Sequence, residues 1–352
     1  MKPLVSVLMP TYNNAPYLAR AIQSILDQTF KDFELLVLDD GSTDRTWAII
    51  QEMARKDKRV VPFRHDENQG VAKSTNALLA LAQGDYIALM DGDDVSFPER
   101  LARQILFLEN QADGFCGTWY KTAAWLQPKT VRLPLQDAAI RVRLLFGVGC
   151  HKSTITGKTA ILKKVQFPDQ YTKGGSDYGW MIALAAHTSM ANIAMPLFYY
   201  RCHAGQITRR EKKIAMTNLP RLRRLYLEQI GIPATEEEKL IHANISDAVP
   251  LSRLEDVEKR QDWLLKLVDY YPEPALAAII ASHWYWVCVQ ATQLGPLVWH
   301  LYQKSPLRLL SPRSSIAEGK LFAACMARLP YAGFYYQLMD HLRIRSSSWY
   351  KP

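Results

Sequence analysis

Along the N-terminal part of the chain, apolar runs of strand length alternate with apolar positions at helical spacing. Val5 to Met9 is rich in β-branched and aliphatic residues and reads as a buried strand. Asn13, Asn14 and Pro16 mark a helix start, and Leu18, Ile22, Ile25 and Leu26 follow along one helical face. Phe33 to Leu38 predicts a second strand, closed by Asp39, Asp40, Gly41 and Ser42, and then a helix with Trp47, Ile50 and Ala54 on one side. Val60 to Phe63 predicts a third strand, Gly70 to Ala82 a helix stopped by Gly84, and Tyr86 to Met90 a fourth strand. Strands separated by helices of this length pair in parallel through crossovers. The expected fold is therefore α/β: a Rossmann-like mixed sheet, mostly parallel, with helices on both faces.

The pattern changes further on. A helix is expected from Pro98 to about Glu109, then strand-like and irregular segments to about residue 208. Beyond a boundary near residue 210, the stretch 211–352 reads as mostly helical. It opens on a basic cluster of Arg209, Arg210, Lys212, Lys213, Arg221, Arg223 and Arg224, with Glu211 as the acidic neighbour. Pro274 to Gln303 contains no Asp, Glu, Lys or Arg and carries Trp284, Tyr285, Trp286 and Trp299. Its length suits a bilayer span, but Gln290, Gln293, Gly295, Pro296 and two histidines interrupt it. A membrane-interface segment and a packed helix pair both fit better, and the basic cluster suits either anionic headgroups or a solvated helix face.

Composition adds three constraints. The 352 residues are 48% hydrophobic and 22% charged, which supports a large core and argues against disorder. An excess of 43 Lys and Arg over 34 Asp and Glu gives +9, which suits an anionic partner such as a nucleotide or acidic lipid, or simply a basic soluble protein. Cys116, Cys150, Cys202, Cys288 and Cys325 are scattered without a C-x-x-C pair, as expected of reduced thiols in a cytoplasmic protein. The N-terminal apolar run stops at Pro10 and is not expected to be a signal peptide.

Candidate chemistry gathers where ligands sit in open α/β sheets, beyond the carboxyl ends of the strands. Thr11 and Tyr12, then Asp39 and Asp40, then Asp91 to Asp94 follow three of the four predicted strands. Asp91, Gly92, Asp93 and Asp94 come directly after an apolar run, and carboxylates there face solvent, a cation or a ligand because burial alone would cost too much. Two carboxylates one residue apart, on a bend that Gly92 allows, can grip Mg²⁺ or Mn²⁺ and leave open positions for phosphate oxygens. Spacing alone suits a turn or a cap equally well.

The runs V-S-V-L-M-P-T-Y-N-N, L-L-V-L-D-D-G-S-T-D, Q-G-V-A-K-S-T-N and G-D-Y-I-A-L-M-D-G-D-D-V-S-F-P-E-R-L, in this order, resemble glycosyltransferase family 2. The likeness spans about the first 110 residues and continues more weakly to about residue 208. It implies a GT-A fold, an inverting transfer from a nucleotide-diphosphate sugar, and a catalytic domain over 1–210. The nucleotide-sugar half would be about 1–110 and the acceptor half about 111–210. The resemblance implies that Pro10, Thr11 and Tyr12 line the nucleoside pocket, that Asp40 holds the base, typically uracil, and that Asp91 and Gly92 lie near ribose and pyrophosphate. It places the metal, Mn²⁺ or Mg²⁺, on Asp93. A general base is implied at Asp177 in K-G-G-S-D-Y-G-W, where relatives usually carry Glu-Asp; the plain alternative is a helix cap. Tyr200-Arg201-Cys202-His203 resembles a Tyr-Arg-x-His segment, which puts His203 near the metal or pyrophosphate and Arg201 in support. Lys73 is a candidate phosphate contact or a solvated lysine, and Trp180 an acceptor platform or a core residue.

Departures bear on the acceptor more than the donor: Gly92 stands for Ala, Thr75 for Arg, Gly179 and Ala183 for the usual Asp and Arg. Processive relatives carry Q-x-x-R-W and several spanning helices, neither of which is present, so one sugar per encounter is expected. The implied setting is bacterial surface polysaccharide such as lipopolysaccharide or capsule, with a glycan or lipid-linked acceptor, in the cytoplasm or peripherally on the inner face of the plasma membrane. A non-catalytic sugar-nucleotide or carbohydrate-binding protein on the same fold is the alternative reading. A phosphohydrolase would leave Asp40 without a role, and nucleic-acid binding lacks any recognition motif.

Overall fold

The computed structural model describes residues 2–110, 114–122, 128–171, 174–203, 206, 212–247 and 249–331, without the side chains of 212, 213, 215 and 216. The chain divides into two compact units, 1–140 with 148–218, and 141–147 with 219–352. The division at residue 218 lies inside one helix (Lys212–Gln229), beside its internal Pro220. Proline there removes a backbone donor from the helix ladder.

In the first unit, β1 (Val5–Thr11) is buried along its whole length because it pairs in parallel with β2 (Phe33–Asp39) on one side and β4 (Tyr86–Leu89) on the other. A strand inside a parallel sheet has both faces covered, which explains why its residues are apolar but for Ser6 and the terminal Thr11. Beyond β2 lies β3 (Val60–Arg64), also parallel. Helix α1 (Ala15–Leu26) buries Leu18, Ala21, Ile22, Ile25 and Leu26, one helical stripe, into the core that also holds Val5, Val7, Met9, Leu35 and Val37. Helices α2 (Thr46–Lys56) and α3 (Val71–Leu81) make the next crossovers.

After β4 the pairing changes character. The sheet runs β3-β2-β1-β4-β8-β6-β9-β5, with β7 on β6. Here β5 is Val95–Ser96, β6 Phe115–Thr122, β7 Lys129–Val131, β8 Thr156–Lys158 and β9 Met190–Tyr200. Antiparallel ladders join β4 to β8, β8 to β6, β6 to β7 and β5 to β9, while β6 and β9 are parallel. Parallel pairing is thus confined to the first four strands and the β6–β9 ladder. The β5–β9 ladder, with Val95 opposite Tyr199, matters for function. It carries the residues after Tyr200 back to those just before Val95.

The second unit is helical among the described residues. It comprises the C-terminal part of α8 (Lys212–Gln229), then α9 (Glu236–Asn244), α10 (Leu254–Tyr270), α11 (Pro274–Gln290), α12 (Pro296–Lys304), α13 (Pro306–Leu310) and α14 (Ser315–Met326). The charge-free stretch becomes α11 and α12. Helix α11 is buried nearly all round, Trp284 and Val287 completely, so it packs inside this unit. No helix among the described residues is long and apolar enough to cross a membrane. Two described residues of the basic cluster are paired within the unit. Arg223 is buried against Asp247 at 2.7 Å, and Arg224 pairs with Glu228 and Glu236. Arg209, Arg210 and the side chains of Lys212 and Lys213 lie outside the described residues.

Candidate active site at the strand ends

The parallel register brings the tips of β1, β2 and β3 level, with Thr11 opposite Asp39 and Asp39 opposite Arg64. Continuing the β1–β4 register puts Asp91 level with Pro10. Pro10 and Thr11 are buried and Tyr12 is partly exposed beside them. Gly92 passes so close to Thr11 that a Cβ there would lie 2.6 Å from Thr11 Oγ1 and 2.9 Å from its Cβ. Both are nearer than side chains tolerate, so the glycine is set by the β1 tip rather than by a turn.

Asp40 is held on every side. Its Oδ1 accepts from Gln69 N at 3.0 Å and lies 2.9 Å from His65 Nδ1, and its Oδ2 accepts from Gly70 N at 2.8 Å. Gly70, at a φ of +91°, opens α3, so this carboxylate ties the end of β2 to the start of that helix. Lys73 is exposed on the first turn of α3. Thr75, where relatives carry Arg, is buried and donates its hydroxyl to Val71 O at 2.6 Å, so it extends nothing toward the strand ends.

At the β4 tip each carboxylate has its own environment. Asp91 Oδ1 pairs with Lys152 Nζ at 2.6 Å, and its Oδ2 accepts from Ser153 Oγ. Burial works to raise the Asp91 carboxyl, but Lys152 and Ser153 together hold it below the ordinary value. Asp93 Oδ2 lies 2.8 Å from His203 Nε2. Arg201 closes the corner from β9, its Nε donating to Asp93 O at 2.7 Å and its N–H to Asp94 Oδ1 at 2.8 Å. Asp94 is fully buried, and burial, reinforced by Asp93 and Asp91, drives its carboxyl well up. Tyr17 of α1 packs on the His203 ring at 4.3 Å and beneath the Arg201 guanidinium at 5.0 Å.

Asp177 stands in the first turn of α7 (Ser176–Ala185), and its Oδ1 accepts from Tyr178 N at 2.9 Å. Burial raises its carboxyl, opposed chiefly by the Lys152 charge, while Asp91 pushes it further up. Residues far apart in sequence therefore share one electrostatic environment. Trp180, a turn further along α7, is fully buried, stacks on Phe167 at 4.3 Å and donates Nε1–H to Val165 O at 2.9 Å. With no exposed ring face it offers no platform; it is part of the core that fixes α7.

Sequence reasoning passed over Lys152, Ser153, His65 and Tyr17. Lys152 sits on the short 3-10 turn Lys152–Thr154, in an irregular stretch where periodicity carries no signal. Tyr17 reads as one more position on an amphipathic helix.

The arrangement can do two things chemically. Asp93 and His203 offer one oxygen and one nitrogen donor to a cation, and Asp177, raised by burial, can accept a proton.

Residues 6–143 match the family Glycosyl transferase family 2. An uncharacterized glycosyltransferase of Methanocaldococcus jannaschii is 43% identical over 114 residues, 32% of this chain and 39% of that protein. This chain thus spans about two fifths of the length of that relative. The UDP-Glc:alpha-D-GlcNAc-diphosphoundecaprenol beta-1,3-glucosyltransferase WfaP of Escherichia coli is 29% identical over 235 residues, covering 66% of this chain and 88% of that enzyme. Among solved structures, S. aureus TarS 1-349 in complex with UDP-GlcNAc superposes with a TM-score of 0.57 at 18% identity, covering 91% of this chain and 90% of that one. The mannosyltransferase PcManGT of Pyrobaculum calidifontis, in complex with GDP-Man and Mn²⁺, gives 0.52 at 17% identity, covering 94% and 88%. These two likenesses show the fold, α/β of GT-A type with a helical C-terminal region.

Proposed function

We propose, from the premise that this chain belongs to glycosyl transferase family 2, that it moves one sugar from a uridine-diphosphate donor to a lipid-diphosphate-linked or glycan acceptor, inverting the anomeric centre. The observation that carries this reading is the shared environment of Asp91, Lys152 and Asp177 beyond the strand ends. The Lys152–Asp91 pair at 2.6 Å and the influence of both charges on Asp177 support a reading in which Asp177 is the proton acceptor and Asp91 bounds the diphosphate.

In this reading Pro10, Thr11, Tyr12 and Asp40 hold the nucleoside. Asp91 and Gly92 bound the ribose and diphosphate, with Lys73 at the mouth. The Asp93 oxygen and His203 nitrogen suit Mn²⁺ better than Mg²⁺, which prefers an all-oxygen shell. Among the described residues no third His, Cys, Asp or Glu joins them, so phosphate oxygens and water would complete the coordination. When bound there, a cation would supply positive charge to offset the negative charge developing on the departing diphosphate. Arg201 fixes Asp93 through its main-chain oxygen. Asp177 accepts the proton of the acceptor hydroxyl as that oxygen attacks the anomeric carbon from the face opposite the diphosphate. The carbon–oxygen bond to the diphosphate breaks and its electron pair leaves with the nucleotide.

A bilayer-borne acceptor calls for a surface that meets lipid. Helix α14 leaves Ile316, Phe322 and Met326 exposed, 73%, 44% and 41%, the last two one turn apart, and Leu309 of α13 is 76% exposed. From 274 to 331 the sequence has Lys304, Arg308, Arg313, Lys320 and Arg328 against Glu318 as its single acid. That balance fits an anionic bilayer. The first test is release of UDP from UDP-glucose and UDP-N-acetylglucosamine with Mn²⁺, with and without an undecaprenyl-diphosphate sugar. Transfer supports the reading. Absence of both UDP release and Mn²⁺-dependent thermal stabilisation by any donor would overturn it.

A further inference from the structure

Resting on that reading, we propose that His65 sets the choice of base. By donating to Asp40 it leaves that carboxylate able to accept one N–H from the nucleotide, which suits uracil and turns guanine away. The case begins with how the two side chains are held. Asp40 follows β2 directly, and its N–H donates to Thr11 O at 2.9 Å. His65 follows β3 directly, and its N–H donates to Asp39 O at 2.9 Å. Main-chain bonds between neighbouring strand tips therefore fix both residues, and the imidazole meets the carboxylate without a long or flexible reach. The Asp40 side chain is 4% exposed and that of His65 18%.

An acceptor count gives the consequence. A carboxylate has about four lone-pair positions, two on each oxygen, and no proton to give. His65 Nδ1, 2.9 Å from Asp40 Oδ1, therefore carries the hydrogen of that bond. Gln69 N donates to the same oxygen at 3.0 Å, so both positions on Oδ1 are filled. Gly70 N fills one position on Oδ2 at 2.8 Å. Among the described residues this leaves Asp40 one acceptor position. Uracil presents a single ring N–H between two carbonyls, and one position satisfies it. Guanine presents its N1–H and 2-amino group side by side, a pair matched to both oxygens of an open carboxylate. With His65 in place guanine keeps one bond and leaves its other donor enclosed without an acceptor, a loss that water would not impose. His65 acts through Asp40 in this account and need not touch the base itself.

The experiment measures dissociation constants for UDP, GDP and inosine diphosphate with Mn²⁺ by calorimetry. It compares the full-length protein with His65→Ala and His65→Asn, with thermal melts to confirm folding. Inosine diphosphate has the purine bulk and N1–H of GDP but lacks the 2-amino group, so it separates hydrogen bonding from size. The wild type should bind UDP most tightly, and inosine diphosphate about tenfold more tightly than GDP. His65→Ala opens the second position on Oδ1, so GDP should gain about tenfold on inosine diphosphate and the gap should close. His65→Asn carries an amide N–H close to the place of Nδ1 and should restore the wild-type order. A wild type that does not distinguish the two purines overturns the proposal. So does a folded His65→Ala protein with the wild-type ratio, or a His65→Asn protein as permissive as His65→Ala. Wild-type protein that binds no nucleotide removes the function and this inference together. Selective UDP binding without sugar transfer removes the function alone, and transfer with an unmoved ratio in His65→Ala removes the inference alone.

Discussion

At the strand ends of the sheet unit, Asp40, Asp91 and Asp93 each face a donor: main-chain amides and His65, then Lys152 and Ser153, then His203. The helical unit buries ionisable groups differently. His242 and His283 are buried with no carboxylate within contact distance among the described residues, and the His283 ring stacks on Phe146 at 3.8 Å. Burial pushes the His242 imidazole down to about 3, helped by the Arg223 charge. His283 is driven well below its ordinary value by burial and by Arg143, Arg223 and Arg313. Charge survives burial where a partner offsets desolvation, and is lost where none does. The first arrangement gives each carboxylate a hydrogen-bonding partner; the second turns histidines into packing. His151 is the sheet unit's own neutral histidine, at about 4, enclosed by Tyr120, Phe198 and Tyr200 directly behind Lys152.

The comparison is broken most directly at Asp177. Asp177→Asn keeps the shape and the bond from Tyr178 but removes the proton acceptor, so kcat should fall by about 10³-fold. UDP binding with Mn²⁺, followed by calorimetry, should stay within about twofold. Because burial raises the Asp177 carboxyl, wild-type activity should be lost in acid at a pH above the ordinary 3.8 of an aspartate. Unaltered turnover in the variant would make Asp177 a helix cap and nothing more.

Next in size is Asp93→Ala. Removing one of two donors should lower kcat/KM by about 10²–10³-fold and raise the Mn²⁺ concentration needed for half activity. Donor binding without metal should change little. If excess Mn²⁺ fails to recover any activity while Mn²⁺-free activity equals the wild type's, the corner is not a metal corner.

The parallel half of the sheet was legible because a strand buried on both faces writes a nearly continuous apolar run, as Val5 to Met9 and Phe33 to Leu38 do with one polar residue each. The strand-tip carboxylates were legible for the complementary reason, that charges directly after such runs need something to face. Short strands such as Val95–Ser96 and Thr156–Lys158 carry too few residues for any period to emerge. Their pairings are long-range, and they decide which side chains meet. Lys152 reaches Asp91 only through the β4–β8 ladder, and His203 reaches Asp93 through β5–β9. Asp177 and His203 were found through likeness of short motifs, since neither lies in a periodic segment that marks it out. Trp180 shows the reverse problem, because an aromatic residue beside a catalytic candidate looks the same in sequence whether it faces a substrate or Phe167.

A smaller effect tests the neutral histidines. The folded His242 imidazole, at about 3, lies below the 6.5 expected when unfolded. The unfolded chain therefore binds a proton that the folded chain refuses between those values. Its contribution to stability is complete above 6.5 and lost as pH falls towards 3. At pH 5 the loss is about 2 kcal/mol for this one group. His242→Gln, which keeps an acceptor for Trp263 Nε1, should melt with a shallower acid dependence than the wild type, the difference between pH 7 and pH 5 shrinking by about that amount. An equal acid slope in both proteins would mean that His242 takes up its proton while folded.

The smallest expected effect separates stabilising polar contacts from functional ones. Helix α9 begins with a capping box: Glu238 N donates to Thr235 Oγ1 at 3.2 Å, and Thr235 N donates to Glu238 Oε2 at 2.7 Å. Glu238 also receives Lys266 Nζ from α10, at 2.8 and 3.0 Å on its two oxygens. Thr235→Ala removes the acceptor for one otherwise unpaired helix amide, while Glu238 keeps its bonds to the Thr235 amide and to Lys266. The cost should be about 1 kcal/mol in a denaturant melt. Turnover should not change, because no charge at the strand ends is altered. Here a polar contact serves the helix alone, whereas at Asp91 a contact of similar length joins two charges at the strand ends. A Thr235→Ala protein with impaired kcat at saturating donor would show that the helical unit supports catalysis, and that the two uses of polar groups are not confined to separate units.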